Sequence, residues 1–388
     1  MVPNGWEKGI VDDIAKVTSG GTPSRKKDLY WNGHIPWVTT SEVKFGIITD
    51  TEQKITQEGL DNSSAKLFPE DTILMAMYGQ GKTRGQVAKL GIEASTNQAC
   101  AALLLHKEHN VDYYYQYLTS QYENIRELAN SGGQQNLSAG IIKDIHVPIP
   151  PLPEQRKIAQ ILSTWDKAIT TTEKLIDASK QQKKALMQQL LTGKKRLVDP
   201  ETGKAFEGEW LVQPLKHIGK LQAGKFVKAS EISNAKDESL FPCYGGNGLR
   251  GFTASYTHEG LYSLIGRQGA LCGNITLAEG KFHATEHAVV VTPHQNIDTK
   301  WLYYKLIELD LNQYATGQAQ PGLSVKNLDP IEVLVAPVKE QQKIASVLTA
   351  ADEEIKLLEA KLAHFKQEKK ALMQQLLTGK RRVQVEAA

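Results

Sequence analysis

The chain has 388 residues, 40% of them hydrophobic and 23% charged, with a formal net charge of +3. At about 150 residues per domain this length predicts two or three compact units. No apolar run approaches the roughly 18 residues of a membrane helix and the N-terminus MVPNGWEKGIVDD has no signal-peptide core, so a cytoplasmic protein without a membrane partner is expected.

From the N-terminus, residues 1–152 read as an α+β domain. Asp71 to Ala76 and Ala99 to Leu105 look like strands, and Asp112 to Ala129 looks like a tyrosine-rich helix. Its Tyr113, Tyr114, Tyr115 and Tyr117 suit a core or a helix face better than a base-stacking platform. Within this domain, Ala76-Met-Tyr-Gly-Gln-Gly-Lys-Thr83 fits a relaxed phosphate-binding loop, so a nucleotide-binding enzyme is one reading. Such a loop must open a helix whose N-terminal dipole holds the phosphates. The continuation Arg84-Gly-Gln-Val-Ala-Lys-Leu-Gly91 is glycine-punctuated and strand-like, which argues against that helix.

Glu154 to Thr192 contains neither proline nor glycine, follows Pro148-Ile-Pro-Pro-Leu-Pro153 and stops at Gly193. Those are helix start and stop signals. At about 1.5 Å per residue the helix is roughly 58 Å long and must bury a stripe along its length. Ile158, Leu162, Trp165, Ile169, Thr172, Ile176, Ser179, Lys183, Leu186 and Leu190 fall alternately three and four apart, the spacing of a coiled-coil seam. A linker at 194–208 and a second α+β domain at 209–337 follow, with a strand at Ala288 to Thr292 and a helix at Thr299 to Asn312 carrying Tyr303 and Tyr304. A second long helix occupies 338–379, with the seam Ile344, Leu348, Ala351, Ile355, Leu358, Leu362, Phe365, Lys369, Leu372 and Leu376, before a basic tail at 380–388. Two such helices in one chain predict an antiparallel coiled coil. A coiled-coil scaffold that never touches DNA would share these helices.

The chain repeats itself. KKALMQQLLTGK at Lys183 to Lys194 recurs letter for letter at Lys369 to Lys380, an offset of 186 that also relates Glu154-Gln-Arg-Lys-Ile-Ala159 to Glu340-Gln-Gln-Lys-Ile-Ala345. Weaker matches extend it: Trp6 with Trp210, Gly20 with Gly224, and Ile35-Pro36-Trp37 with Phe241-Pro242-Cys243. Met77-Tyr-Gly-Gln-Gly81…Gly85 lines up with Ile265-Gly-Arg-Gln-Gly269…Gly273, and Thr96-Asn-Gln-Ala99 with Thr285-Glu-His-Ala288. A pseudo-twofold pair of globular domains carried on two helices is the expected architecture.

Local clusters, not the net charge, decide whether nucleic acid is a partner. Arg25-Lys26-Lys27, Lys194-Lys195-Arg196 and Lys380-Arg381-Arg382 are such clusters, though a solvated surface is the plainer reading of any one. Amide side chains read adenine edges and arginine reads guanine. In the first domain the candidate DNA contacts are Arg25, Lys26, Gln80, Lys82, Thr83, Arg84, Asn97, Gln98, Gln134, Gln135 and Asn136. Those of the second are Lys225, Asn247, Arg267, Gln268, His287, Gln318 and Gln320. Plain turns would have the same Gly/Gln/Asn composition.

Nothing catalytic stands out. His283-Ala-Thr-Glu-His287 lacks the H-E-x-x-H order and a third metal ligand, and no G-x-S-x-G elbow or Rossmann fingerprint is present. Cys100, Cys243 and Cys272 are far apart and encode neither a disulfide framework nor a zinc knuckle; reduced, partly buried thiols are expected.

Pro150-Pro-Leu-Pro-Glu-Gln155…Ile158-Ala…Ile161-Leu162…Asp166…Ile169, followed by Lys184…Leu186-Met-Gln…Leu190-Leu-Thr-Gly-Lys194, resembles the helical region of the specificity subunits of type I restriction–modification systems. It occurs twice, the second copy abridged at Pro337-Val-Lys-Glu-Gln341, and Gly21-Thr-Pro23…Tyr30-Trp31…Ile35-Pro-Trp37 and Phe241-Pro-Cys-Tyr-Gly-Gly-Asn-Gly248 look like motifs of that family's target recognition domains. The resemblance spans essentially the whole chain. It implies a DNA-reading subunit without chemistry of its own, with two recognition domains on the halves of a bipartite site and helices that act as a ruler; the aligned loops Gly79-Gln-Gly-Lys-Thr-Arg84 and Arg267-Gln-Gly-Ala-Leu-Cys272 differ, so the two half-sites are expected to differ. It also implies two methyltransferase subunits bringing S-adenosylmethionine, and restriction subunits bringing ATP- and Mg-dependent translocation and cleavage. No cofactor is expected in this chain.

Overall fold

A computed structural model describes residues 2–79, 82–128, 136–269, 271–317 and 321–385. The chain forms two compact units, Met1–Thr172 with Lys361–Ala388, and Glu173–Ala360. Each unit therefore holds one globular part, one end of the first long helix and the opposite end of the second.

Both long helices are continuous, Leu152–Leu190 and Val338–Leu376. In the first unit, the start of one helix packs on the end of the other. Ile158, Ala159 and Leu162 share a core with Leu376 and Leu377, and the Trp165 and Phe365 rings meet edge-on at 5.7 Å. The second unit repeats this with Leu190 and Leu191 against Ile344, Ala345 and Leu348. The helix ends thus pair antiparallel in both units, and every seam residue predicted from the periodicity is buried or half-buried. The two lysines that interrupt the seam are neutralised across it: Lys369 Nζ lies 2.6 Å from Asp166 Oδ1, and Lys183 Nζ lies 2.5 Å from Asp352 Oδ1. A second donor completes each aspartate, the Gln116 amide at Asp166 and the Tyr304 hydroxyl at Asp352.

Among the described residues, the globular part of the first unit has a five-stranded sheet in the order Ala15–Ser19, Cys100–Leu105, Ile73–Ala76, Val87–Leu90, Ile47–Ile48. A four-stranded sheet runs Gln53–Ile55, Trp31–Val38, Ala94–Thr96, Leu67–Phe68. In the second unit one six-stranded sheet runs Gly219–Ala223, Ala288–Pro293, His258–Gly266, Ile275–Ala284, Phe241–Gly245, Gly248–Thr253. Each unit also has a two-stranded ribbon that ties the globular part to its helix, Glu7–Ile10 with His146–Ile149 and Leu211–Pro214 with Glu332–Val335.

Tyr113 and Tyr114, on the helix Val111–Ser120, are fully buried, and burial pushes both phenols above their ordinary pKa. They are core residues, as their spacing suggests. The three cysteines are free and all buried, deeper than the partial burial expected; the Cys100 thiol is pushed up to about 11 by burial.

Two basic clusters that read as solvated surface have a structural task. Glu340, whose side chain is fully enclosed, accepts from Arg196 Nε at 2.7 Å and from Trp210 Nε1 at 2.9 Å, while Arg196 Nη1 donates to the Gly208 carbonyl. The first unit repeats this with Glu154, which accepts from Arg382 and from Trp6 Nε1, while Arg382 Nη1 donates to the Asn4 carbonyl. Sequence inspection misses both staples because the partners stand 144 and 228 positions apart.

Candidate nucleic-acid interface

Each globular part gathers its strand ends into one rim, and the backbone bonds that build the two rims correspond one for one. In the first unit, Gly21 N–H donates to the Thr96 carbonyl at 2.8 Å, Met77 N–H to Ala99 at 2.8 Å, Leu137 N–H to Met77 at 3.0 Å and Gly85 N–H to Ala76 at 2.9 Å. In the second, Lys225 N–H donates to Ala284 at 2.8 Å, Arg267 N–H to His287 at 2.9 Å, Leu323 N–H to Arg267 at 2.8 Å and Gly273 N–H to Gly266 at 2.8 Å. Gly20 and Gly224 enter the rims where a Cβ would stand 2.0 and 2.2 Å from the carbonyl oxygens of Thr96 and Ala284, so only glycine fits.

These bonds revise the alignment drawn from sequence. Met77 corresponds to Arg267, not Ile265, and Thr96 corresponds to Ala284, not Thr285. The loop from Met77 to Gly85 is consequently two residues longer than that from Arg267 to Gly273, while Gly85 and Gly273 match as expected, at φ +82° and +85°. The shared letters Thr and Ala drew the sequence match one position off; the backbone bonds follow the strand pairing.

The phosphate-binding-loop reading is overturned. Ile73–Ala76 and Val87–Leu90 are antiparallel neighbours, so the chain leaves Thr83 for a strand rather than a helix, and Gln86 N–H donates to the Thr83 carbonyl. Lys82 is exposed, and its carbonyl accepts from the Tyr122 hydroxyl, which fixes the loop.

Arg25 and Lys26 are exposed on a loop held by two indoles, Trp37 Nε1 donating to the Gly21 carbonyl at 3.0 Å and Trp31 Nε1 to that of Ser24 at 3.2 Å. The Arg25 guanidinium lies 3.7 Å over the Trp31 ring and donates to Gln53 Oε1 at 2.7 Å. Gln98 is exposed beside this loop and accepts from the Thr22 hydroxyl. Asn136 is exposed next to Leu137, whose N–H joins it to the same rim. Thr83 and Arg84 are half-buried in the loop.

Asn97 is turned inward: its Oδ1 accepts from Ala99 N–H at 3.0 Å and its amide donates to Thr40. Arg267 likewise holds the second rim together, donating to the carbonyls of Leu323 and Glu286. Both engage the protein rather than point away from it.

In the second unit Lys225, Asn247 and Gln268 are exposed on the rim, Asn247 beside Gly246, which abuts the His287 carbonyl. His287 Nε2 lies 3.1 Å from Glu286 Oε1. His283 is buried with both ring nitrogens engaged, by Ser255 and by the Lys225 carbonyl, and among the described residues no three metal-ligating side chains converge. Gln80, Gln134, Gln135, Gln318 and Gln320 lie outside the described residues. Thr22, Gln53 and Glu286, which the sequence reading leaves out, also lie among the rim residues, bonded to or facing Gln98, Arg25 and His287. Glu286 would have been found with the alignment moved by one position.

A repeated β-rich domain that gathers cations and amides on a rim, each followed by one of two mutually packed helices, has the form of a paired recognition module. The family model described as "Type I restriction modification DNA specificity domain" matches residues 3–180 and again 207–367. The chain therefore belongs to the type I restriction–modification specificity subunits, which are non-catalytic DNA-recognition subunits with two target recognition domains. It is 32% identical to the EcoprrI specificity subunit of Escherichia coli over 87% of this chain and 86% of that one. It is 26% identical to the MjaVIII specificity subunit of Methanocaldococcus jannaschii over 98% and 94%. The crystal structure of the S subunit from M. genitalium matches in fold, with a TM-score of 0.68 over 97% of this chain and 96% of that one at 20% identity. Among the described residues no helix is long and apolar enough to cross a membrane.

Proposed function

We propose that each rim reads one half of an asymmetric bipartite site in double-stranded DNA. In this reading the two long helices set the number of unread base pairs between the halves and dock two methyltransferase subunits. The supporting observation is that the two rims share a backbone frame and differ in what they present. The first offers Arg25, Lys26, Lys82, Gln98 and Asn136, the second Lys225, Asn247, Gln268 and His287. Frames of equal shape with unequal side chains suit two different half-sites. Residues 1–152 and 209–337 are the recognition domains in this scheme, 153–193 and 338–379 the helices, 194–208 a linker and 380–388 a basic tail. The complex works in the cytoplasm. S-adenosylmethionine, ATP and Mg belong to the modification and restriction subunits; a structure bearing on "complex assembly and conformational transition of the type I R-M system" shares this fold, with a TM-score of 0.58.

Methylome sequencing of cells carrying the complete system tests the reading, with a two-part, non-palindromic motif as the expected result. A palindromic mark would refute the asymmetry. Lengthening either helix is expected to change the gap and leave the bases unchanged; altered bases at a fixed gap would refute the ruler.

A further inference from the structure

The corrected correspondence puts two unlike side chains on one structural position. In the first domain, Asn97 Oδ1 accepts from Ala99 N–H at 3.0 Å, and Cys100 N–H donates to the Asn97 carbonyl at 3.3 Å. In the second domain Thr285 Oγ1 accepts from His287 N–H at 3.4 Å, and Ala288 N–H donates to the Thr285 carbonyl at 3.0 Å. The strand before each turn is equally matched, since Trp37 pairs in parallel with Ser95 and Cys243 with His283. The residue at the tip of the turn is Gln98 in one rim and Glu286 in the other.

A carboxylate is an odd group for a surface that meets phosphates, because it repels them and can only accept hydrogen bonds. The Glu286 side chain is partly exposed on the turn, with Oε1 3.1 Å from His287 Nε2. A carboxylate at the tip of a turn that meets DNA needs a donor on the surface it meets. On the major-groove edges of DNA the donors are the amino groups of cytosine and adenine, and adenine sets an acceptor, N7, beside its amino group. Glutamine, with one donor and one acceptor, fits adenine; glutamate, an acceptor alone, fits cytosine.

We propose that Gln98 and Glu286 are equivalent specificity-determining residues, Gln98 selecting adenine in the half-site of the first domain and Glu286 selecting cytosine in that of the second. This rests on the bipartite reading above. The two variants Glu286→Gln and Gln98→Glu, each assembled with the modification subunits, test it. Motifs are read by methylome sequencing, and preferences by competition with oligonucleotides carrying each base at each specified position.

Glu286→Gln is expected to exchange cytosine for adenine at one position of one half-site, a change of about ten- to a hundredfold in relative affinity. Gln98→Glu is expected to make the reverse exchange in the other half. Unchanged preferences in either variant, or changes falling in the same half-site, would overturn the assignment while leaving the bipartite motif of the parent intact. A parent complex with no two-part motif would instead sink the reading on which it rests. If Glu286→Gln fails to assemble, Glu286→Asp keeps an acceptor-only side chain and is expected to retain cytosine with weaker discrimination; a different preferred base would overturn the assignment.

Discussion

Replacing Glu340 by glutamine tests how far the repeated staples carry stability. The Glu340 carboxylate is fully enclosed and receives the Arg196 guanidinium at 2.7 Å and the Trp210 indole at 2.9 Å, so both incoming groups are donors. Glutamine removes the negative charge and turns one acceptor into a donor that faces another donor. Breaking a buried pair from one side costs about 3–5 kcal/mol. The Arg196 side chain is 28% exposed and recovers some hydration when unpaired, which lowers the expected cost to about 2–3 kcal/mol. The same substitution at Glu154 should cost less, about 1–2 kcal/mol, because Arg382 is 41% exposed and more easily resolvated. Equilibrium urea denaturation followed by tryptophan fluorescence is the assay, and Trp210 and Trp6 report from the sites themselves. A Glu340→Gln chain within about 0.5 kcal/mol of the parent, or a larger loss at Glu154 than at Glu340, would refute the argument that enclosure sets the magnitude.

Lys82→Ala removes an exposed cation from the first rim. It should weaken DNA binding by the assembled complex about equally across sequences and lower the slope of log affinity against log salt by about 0.9; an unchanged slope would take Lys82 off the phosphates. His258, stacked on Phe282 at 5.4 Å, has its pKa lowered by burial and then by the nearby charges of Lys225 and His283. The folded chain thus binds this proton less readily than the unfolded chain, whose histidine titrates near about 6.5. Stability is therefore full above that value and falls as pH drops through the lower folded pKa. His258→Phe should keep the stack and flatten that acid-side loss, as read by melting temperature against pH; an identical pH profile would show that the histidine contributes nothing to it.

Some of this molecule is legible as sequence and some is not, for a physical reason visible in particular residues. The long helices are legible because a helix is a local structure: its hydrogen bonds span four residues, its seam repeats every three or four, and proline marks its start. Lys183 and Lys369 break the seam, but their answers, Asp352 and Asp166, lie on the other helix, so the pattern alone cannot say why lysine is tolerated there. The rims are harder still. Their turns are fixed by backbone bonds between segments far apart in the chain, such as Leu137 to Met77 and Leu323 to Arg267, and backbone atoms carry no letter. Shared letters can therefore mislead by one position while the backbone bonds correspond.

The internal repeat separates two kinds of position by comparison within one chain. Where a side chain closes the fold, both halves keep the chemistry: a glutamate, an arginine and a tryptophan at Glu154, Arg382 and Trp6, and again at Glu340, Arg196 and Trp210. Exchange is tolerated where either group can do the same task, as Gln116 and Tyr304 both donate to the seam aspartate. At the rim tips the exchange is of another kind, since Gln98 and Glu286 differ in charge and in the ability to donate. The two tips also differ in what they face within the protein, since Gln98 accepts from the Thr22 hydroxyl whereas Glu286 faces its neighbour His287. An exchange of that kind is what the proposed assignment of the two tips to different bases requires.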